Sequence, residues 1–351
     1  MKSKKLSELI IKTFRNNGFL LSEPDVLLDS EYIIERSGEK FRSSMLTFES
    51  KNGKVMCLRP DLTVASCINY LQKKTKSKIY YSGQAYRRSD KKNSDLVNDQ
   101  LGIEIFGSKN QIQDDFKVIT TILNSAKKIK SKKIRIKVGD VSLFKSLINS
   151  LDMPERWKLR LIRHFWRPKY FEYLLKRLEK NSDIDAENFD TDKKRFYEMK
   201  KMEQNKVIAG RSILEILNRF DKKIKDPRSF SEGKKIVKII RSFLKINCKL
   251  SQLEKKLSDF TKKNNLKKNT FSNFKSIQNL KKLKVDINFI SNFGWDIEYY
   301  TGIVFEVFAG QKEIARGGRY DGLLKSLGAK KNIPAVGAAI NLKNIWKMKL
   351  P

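Results

Sequence analysis

The segment ARGGRYDGLLKSLG, residues 315–328, combines residue types that can hold a small molecule. It lies between a run with strand-like alternation and a short apolar run with helical spacing. Gly317 and Gly318 would allow the backbone to approach a ligand closely, because glycine has no Cβ. In a second run, NDQLGIEIFG, the side chains of Gln100 and Glu104 share one face of a predicted strand. A carboxylate in a sheet needs a partner, and a cationic ligand would supply one.

The charge of the chain is strongly positive, and its distribution decides how it is interpreted. The 351 residues include 75 basic and 39 acidic ones, a formal net charge of +36. Clustered positive charge would favour a polyanion partner, since Lys and Arg neutralise phosphates. The lysines recur along the whole chain, as in KKIKSKK and NNLKKN, so a generally lysine-rich surface explains the charge better. Nucleic acid is therefore not predicted as a partner.

Metal and nucleophile chemistry find little support in the sequence. Cys57, Cys67 and Cys248 form no pair with metal-ligand spacing, and His164 is the single histidine. We therefore predict no metal, no cofactor and no histidine-based catalytic triad. No window approaches the roughly 18 apolar residues of a membrane span, and no signal-peptide pattern is present. A cytoplasmic protein is expected.

The alternation of apolar and polar residues predicts an α+β protein. The N-terminal residues form an amphipathic helix, with Leu6, Leu9, Ile10 and Phe14 at helical spacing. Strands are predicted at SSMLTFES, KVMCLRP, KIYYSGQAYR and QLGIEIFG, and again at VDINFIS, GIVFEVFAG and KEIARGG, before PAVGAAINLKNIW reads as a strand entering a helix. We therefore predict that residues 1–140 and 281–351 fold together as one structural unit. A lysine-rich helical insertion is predicted over 141–280.

Four segments, in chain order, resemble the catalytic core of the histidyl-tRNA synthetase family. They are VMCLRPDLTVASCI, GQAYRRSDKKNSDLVNDQLGIEIFG, GWDIEYYTGIVFEVFAG, and GGRYDGLL followed by PAVG. The resemblance spans residues 20–107 and 286–346, and the middle block contains no matching motif. It implies a class II aminoacyl-tRNA synthetase-like antiparallel sheet flanked by helices, with a helical insertion. It also implies a self-dimer, with residues 22–31 at the interface.

The same resemblance implies a histidine pocket. Asp61 and Thr63 would flank the amino acid, with aspartate where the synthetases have glutamate. Gln100 and Glu104 would hold the amino group, and Tyr300 and Tyr320 would lie around the imidazole. Carboxylates suit an ammonium group and tyrosine hydroxyls suit ring nitrogens. The full predicted histidine-binding set is Asp61, Thr63, Arg87, Gln100, Glu104, Tyr299, Tyr300 and Tyr320.

The positions that serve ATP in the synthetases depart from the family pattern. Arg87 occupies the place of the arginine that holds the α-phosphate. Ser89 takes the place of a glutamate, and Asn98 that of the phenylalanine that stacks on adenine. Three arginines are also replaced: the one that binds phosphate by Ser94, the one that assists adenylation by Trp295, and the one in the last motif by Asn344. A neutral side chain cannot replace a guanidinium at a phosphate. The chain also ends at Pro351, where synthetases continue into an anticodon-binding domain. We therefore expect no aminoacylation.

This combination is similar to a paralogous family, the regulatory subunits of ATP phosphoribosyltransferase, the first enzyme of histidine biosynthesis. The resemblance implies a non-catalytic subunit that assembles with a short catalytic subunit, in a hetero-octamer in the family pattern. Such a subunit is needed for full activity and for feedback inhibition by histidine. The alternatives are a divergent histidyl-tRNA synthetase, a tRNA-binding synthetase paralogue, and a paralogue that modifies another protein.

Overall fold

The structure is a computed structural model of the chain. It describes residues 2–37, 43–73, 76–88, 96–107, 109–129, 133–180, 194–195, 197–201, 207–208, 211–224, 230–272, 274–294 and 299–346. Within these ranges, no helix is both long enough and apolar enough to cross a lipid bilayer.

One large sheet organises the fold. Its strand order is β1 (Leu20–Leu21), β5 (Lys78–Tyr86), β6 (Val97–Phe106), β14 (Ala335–Asn341), β13 (Lys312–Arg319), β12 (Ile303–Ala309), β7 (Ile134–Asp140), β11 (Asp286–Ile290) and β10 (Asn247–Lys249). Neighbouring strands are antiparallel except for β1 with β5 and β7 with β11, which are parallel. The predicted antiparallel sheet is confirmed, and parallel pairs lie towards both of its edges.

Two smaller sheets accompany it. Strands β2 (Leu27–Asp29), β4 (Val55–Leu58) and β3 (Leu46–Glu49) form an antiparallel sheet in that order. Strands β8 (Val207–Ile208) and β9 (Arg211–Ser212) form a short antiparallel pair. The strands predicted in both terminal regions are all present, and each is a short run rich in β-forming residues.

The helices lie between these strands. They are α1 (Lys2–Asn16), α2 (Ser30–Ser37), α3 (Leu62–Lys73), α4 (Gln111–Lys127), α5 (Val141–Ser150), α6 (Glu155–His164), α7 (Pro168–Lys180), α8 (Ile213–Ile224), α9 (Phe230–Leu244), α10 (Leu253–Lys263), α11 (Lys275–Asn279), α12 (Leu323–Ser326) and α13 (Leu342–Trp346). In α1, Leu6, Ile10 and Phe14 are buried as predicted, whereas Leu9 is 41% exposed. Leu9 lies at the margin of the apolar stripe, outside the i, i+4, i+8 row.

The chain divides into two compact units. The first contains the large sheet and comprises Met1–Leu143, Ile246–Lys256 and Ser272–Pro351. The second comprises Phe144–Lys245 and Leu257–Phe271 and is mostly helical. Strand β10 and helix α11 fall within residues 141–280, the range of the predicted insertion, yet they belong to the first unit. In the second unit, Phe243 stacks on Phe271 with ring centroids 5.6 Å apart.

Strand β7 lies between β12 and β11 and was not among the predicted strands. Its sequence, IRIKVGD, alternates over only a few residues and follows the lysine-rich KKIKSKK. The side chains of Ile136 and Val138 are buried, whereas Lys137 between them is half-buried. The charged residues in and before this segment do not indicate a buried strand, because its burial depends on β11 and β12, which lie far away in the sequence.

A buried ion pair joins α4 to the end of β13. The Arg319 guanidinium lies 2.6 Å from Asp115 Oδ1, and the two side chains are only 5% and 2% exposed. Arg319 also reaches Asp321 at 2.8 Å, and the Ser276 hydroxyl donates to Asp115 Oδ2 at 2.6 Å. Arg319, within the GGRYD segment, is therefore a structural charge of the first unit.

Asp115→Ala should destabilise the fold strongly, because it leaves the Arg319 charge buried with half of its partners. Breaking a buried ion pair costs about 3–5 kcal/mol. Asp114 lies one residue earlier, at a less buried position of α4. We expect Asp114→Ala to lower the free energy of unfolding by less than about 1 kcal/mol. Urea unfolding of both variants measures the difference. Equal midpoints would contradict a structural role for the pair.

Candidate functional site

A cavity of about 260 Å³ lies within the first unit, over β6, β13 and β14. Seven of the eight residues in the predicted histidine-binding set line it. These are Asp61, Thr63, Arg87, Gln100, Tyr299, Tyr300 and Tyr320. The eighth, Glu104, is fully buried and is hydrogen-bonded to two of them. The fold thus brings together residues that lie up to 259 positions apart in the chain, from 61 to 320.

The Glu104 carboxyl is held by hydroxyl groups from three separate elements. Thr63 Oγ1 at the start of α3 donates to Glu104 Oε1 at 2.7 Å, and Tyr81 of β5 donates to the same oxygen at 3.4 Å. The Tyr320 hydroxyl donates to Glu104 Oε2. Tyr81 was not predicted as a site residue; the pairing of β5 with β6, in which Tyr81 is opposite Gly102, brings it close to Glu104.

Burial controls the protonation of Glu104. Removal from water raises the pKa of this carboxyl from 4.5 to about 8, although the hydrogen bonds from Tyr320 and Thr63 oppose the shift. The carboxyl is therefore mostly protonated at neutral pH. A cation placed beside it would favour the ionised form and would gain a strong, charge-assisted hydrogen bond.

Two glycines leave the space that these groups occupy. A Cβ on Gly337 of β14 would lie 1.4 Å from Glu104 Oε2, and one on Gly102 would lie 2.2 Å from the Tyr81 ring. Neither glycine was predicted to matter. Gly317, expected to let the backbone approach a ligand, lines the cavity, and a Cβ there would meet Gly337 O at 2.4 Å. A Cβ on Gly318 would meet the Tyr300 ring at 2.7 Å.

Arg87 and Asp61 form an ion pair at one side of the cavity. The guanidinium lies 2.6 Å from Asp61 Oδ2, and Arg87 Nε donates to the carbonyl oxygen of Pro60. Asp61 Oδ1 accepts a hydrogen bond from the Val64 backbone at 3.0 Å and so caps helix α3. Arg87 is therefore already engaged by a carboxylate of the protein.

Three tyrosines form an aromatic wall. The ring centroids of Tyr299 and Tyr300 are 5.1 Å apart, and those of Tyr299 and Tyr320 are 5.8 Å apart, both edge to face. Burial raises the pKa of the Tyr299 and Tyr320 hydroxyls well above 10, so both remain protonated. Such a wall suits a flat ring or a cation, because aromatic faces attract positive charge.

The far side of the cavity carries a second arginine, which is also held by carboxylates. Arg316 bonds to the buried Glu306 and lies 3.4 Å from Glu313. Glu313 and Arg316 line the cavity together with Asn98 and Asn341. This lobe was not predicted, because the pairing joins two strands whose register the sequence does not show.

The predicted departures from the synthetase pattern are only partly within the described residues. Asn98 lines the cavity, and the Asn344 amide donates to the backbone oxygen of Glu313 at 2.9 Å. Ser89, Ser94 and Trp295 lie outside the described residues. In the part of the chain that is described, no group of three or more His, Cys, Asp or Glu residues could hold a metal ion.

Comparison with known proteins agrees with this architecture. A family model described as histidyl-tRNA synthetase matches residues 1–345. The ATP phosphoribosyltransferase regulatory subunit of Rhizobium meliloti is 27% identical over 360 residues, covering 96% of this chain and 94% of the relative. That of Agrobacterium fabrum is 29% identical over 343 residues, covering 91% of this chain and 90% of the relative.

Solved structures show the same fold. An ATP phosphoribosyltransferase regulatory subunit/histidyl-tRNA synthetase from Bacillus halodurans superposes with a TM-score of 0.63 at 15% identity, covering 98% of this chain and 78% of that one. Histidyl-tRNA synthetase from Nostoc sp. PCC 7120 gives a TM-score of 0.61 at 15% identity, covering 98% and 70%. The predicted class II synthetase-like fold is confirmed.

Glu104→Gln should remove a pH dependence from folding stability. The folded protein binds the Glu104 proton up to a pKa of about 8, whereas the ordinary value is 4.5. The contribution of this group to the free energy of unfolding is therefore complete below pH 4.5. It is lost as the pH rises from 4.5 towards 8, at up to about 1.4 kcal/mol per pH unit.

We expect Glu104→Gln to unfold at higher urea concentration than the wild type at pH 8, and at a similar concentration at pH 5, because glutamine cannot ionise. Urea titrations at both pH values measure the effect. Identical midpoints at pH 8 would contradict a buried, protonated Glu104.

Proposed function

The chain belongs to the histidyl-tRNA synthetase family, and we propose that it serves as a non-catalytic regulatory subunit of ATP phosphoribosyltransferase, in the first step of histidine biosynthesis. The observation that carries the proposal is the charge arrangement of the cavity. It keeps carboxyl and tyrosine groups suited to an amino acid, while both arginines among its described lining residues are neutralised by the protein itself. The nearly full-length similarity to regulatory subunits supports it.

Adenylation of an amino acid is not favoured by this cavity. Phosphoryl chemistry needs cations directed at the charge that develops on the phosphates. Arg87 is paired with Asp61, and Arg316 with Glu306 and Glu313, so a nucleotide would have to displace carboxylates of the protein. Glu313 would also repel a triphosphate. These pairings support a protein that binds an amino acid without activating it.

Histidine is the ligand that the cavity suits best. Its ammonium would lie near Glu104 and Gln100, where the buried carboxyl ionises in response. Its imidazole would lie between Tyr300 and Tyr320, whose hydroxyls can donate to or accept from ring nitrogens. Its carboxylate would bind Arg87, which it would share with Asp61, and Thr63 would lie nearby.

Regulation would follow from linkage between the two subunits. Histidine inhibits only if it binds more tightly to an inactive arrangement of the complex than to the active one. A coupling free energy of about 1–3 kcal/mol would change activity roughly 5- to 150-fold. The same chain, without histidine, would hold the short catalytic subunit in its active arrangement in the cytoplasm, where the proposed reaction draws on ATP.

The three-stranded sheet supports a self-dimer within that complex. Four apolar side chains on or beside it are 40–51% exposed: Val26, Leu27, Phe48 and Val55. Leu27 and Phe48 share one face of this sheet, because their partners Leu58 and Met56 are two residues apart on β4. Exposed apolar side chains on one face of a sheet are typical of a protein interface. A second copy of the chain would cover these side chains. Such self-dimers would assemble with the catalytic subunits into a hetero-octamer.

Reconstitution with the short catalytic subunit of the same organism tests the proposal. We expect phosphoribosyl-ATP formation to rise about tenfold or more when this chain is added, and to fall again with histidine. Histidine-dependent exchange of pyrophosphate into ATP, measured in parallel, should be absent. Robust exchange would favour a divergent synthetase, and a chain that neither binds nor activates the catalytic subunit would contradict the proposed function.

Pocket variants separate sensing from activation. Glu104→Gln removes the ionisable group, and Gly337→Ala places a methyl group against the position of the carboxyl. Both should weaken histidine inhibition at least about tenfold, since a charge-assisted hydrogen bond to the ammonium is worth about 1.5–3 kcal/mol. Both should still activate the catalytic subunit. Inhibition that persists in both variants would place the histidine site elsewhere.

A further inference from the structure

Helices α6 and α7 of the second unit carry more arginine and aromatic residues than a lysine-rich surface explains. Five of the chain's 19 arginines fall within the 22 residues from 156 to 177, and the rings of Trp166, Tyr170 and Tyr173 in the same stretch are at least partly exposed. A general excess of lysine would add lysines to this stretch, without concentrating guanidinium groups and rings. The stretch therefore needs an explanation of its own.

Six side chains form what we call the basic-aromatic face: Arg160, Arg163, Arg167, Tyr170, Tyr173 and Arg177. Tyr170 and Tyr173 are 39% and 52% exposed, and their ring centroids lie 6.0 Å apart. The Arg177 guanidinium lies 5.5 Å from the Tyr173 ring centroid.

His164 ties the two helices of this face together. Its ring lies edge-on to Tyr170, with centroids 4.9 Å apart. Burial lowers the pKa of His164, and the positive charges of Arg167, Arg163 and Arg160 lower it further. The positive charges of Arg160, Arg163 and Arg167 therefore act on a ring that contacts the exposed Tyr170. The face is continuous across α6 and α7.

The acidic side chains of α7 are engaged by α9. Glu172 lies 2.5 Å from one nitrogen of Arg241, and Glu179 lies 3.6 Å from another. On α6, Glu155 lies 3.8 Å from Lys158. These carboxylates are paired within the second unit, and Arg163 and Arg167 are exposed, so the basic-aromatic face carries positive charge.

We propose that the basic-aromatic face docks the catalytic subunit, through a surface that presents carboxylates around an apolar patch. This inference rests on the proposed function and adds to it the part of this chain that meets its partner. Tyrosine, tryptophan and arginine are enriched at protein interfaces, whereas lysine is depleted there. Guanidinium groups bind carboxylates in bidentate pairs. Rings lose little conformational entropy when they are covered.

An exposed leucine favours a protein partner over a nucleic acid. Leu159 is 59% exposed and lies one helical turn before Arg163 on the same side of α6. An apolar side chain gains nothing from a phosphate backbone, but it is buried favourably against an apolar patch of a protein. A single-stranded RNA, which arginine and tyrosine could also bind, is the alternative that the experiment must separate.

The test is the affinity of the full chain for the catalytic subunit, measured by titration at several salt concentrations. Arg163→Glu/Arg167→Glu reverses two exposed charges of the face, and Tyr173→Ala removes an exposed ring. We expect each to weaken the complex roughly tenfold or more, and the charge reversal to flatten the salt dependence. Lys235→Glu/Lys238→Glu, an equal charge reversal on exposed positions of α9, is the control and should change affinity less than about twofold.

The outcomes distinguish this inference from the proposed function. If the wild type binds and activates the catalytic subunit and both face variants do so equally well, the docking surface lies elsewhere while the function stands. If the wild type neither binds nor activates, the proposed function fails and the inference falls with it. If the face variants still bind the catalytic subunit with wild-type affinity but no longer bind a fluorescent single-stranded RNA, the face binds nucleic acid and the inference is overturned.

Discussion

The burial of one carboxyl group in the middle of a sheet is the constraint on which the site depends. Glu104 is fully buried on β6, so its oxygens need partners from the protein or from a ligand. Thr63, Tyr81 and Tyr320 supply hydroxyl groups from three elements, and Gly337 leaves room on the neighbouring strand. An arrangement that spends so many side chains on one protonated carboxyl is poorly explained by stability alone. It is well explained by a cationic ligand.

Electrostatic pairing around the cavity favours a sensing role over catalysis. An enzyme that activates an amino acid with ATP must leave cations available for the phosphates. The two arginines among the described lining residues are instead paired with Asp61, Glu306 and Glu313. Under the proposed function, the same fold would bind a small amino acid while its own carboxylates neutralise the arginines that the reaction would require. Fold and function are separable in this way, because function resides in the chemistry of the site.

The two units carry different kinds of surface. The first holds a small cavity lined by strands β6, β13 and β14, by the start of α3 and by the segments around Arg87, Tyr300 and Tyr320. The second presents exposed rings and guanidinium groups on helices α6 and α7. A regulatory subunit needs both a selective small-molecule site and a surface that meets a larger partner. The composition of each unit is consistent with one of these tasks.

The sequence by itself predicted most strands of the sheet, the amphipathic helices, and a set of eight site residues, seven of which line one cavity. The strands and helices follow from local composition and periodicity, and the site residues follow from the resemblance of four short motifs to a known family. Only the tertiary structure showed β7 between β12 and β11, Tyr81 and Gly337 around Glu104, and the pairing of Arg316 with Glu306. Each of these depends on which strands become neighbours and in what register. Burial, hydrogen bonding and the shifted pKa of Glu104 arise from such long-range contacts, which no short stretch of sequence specifies.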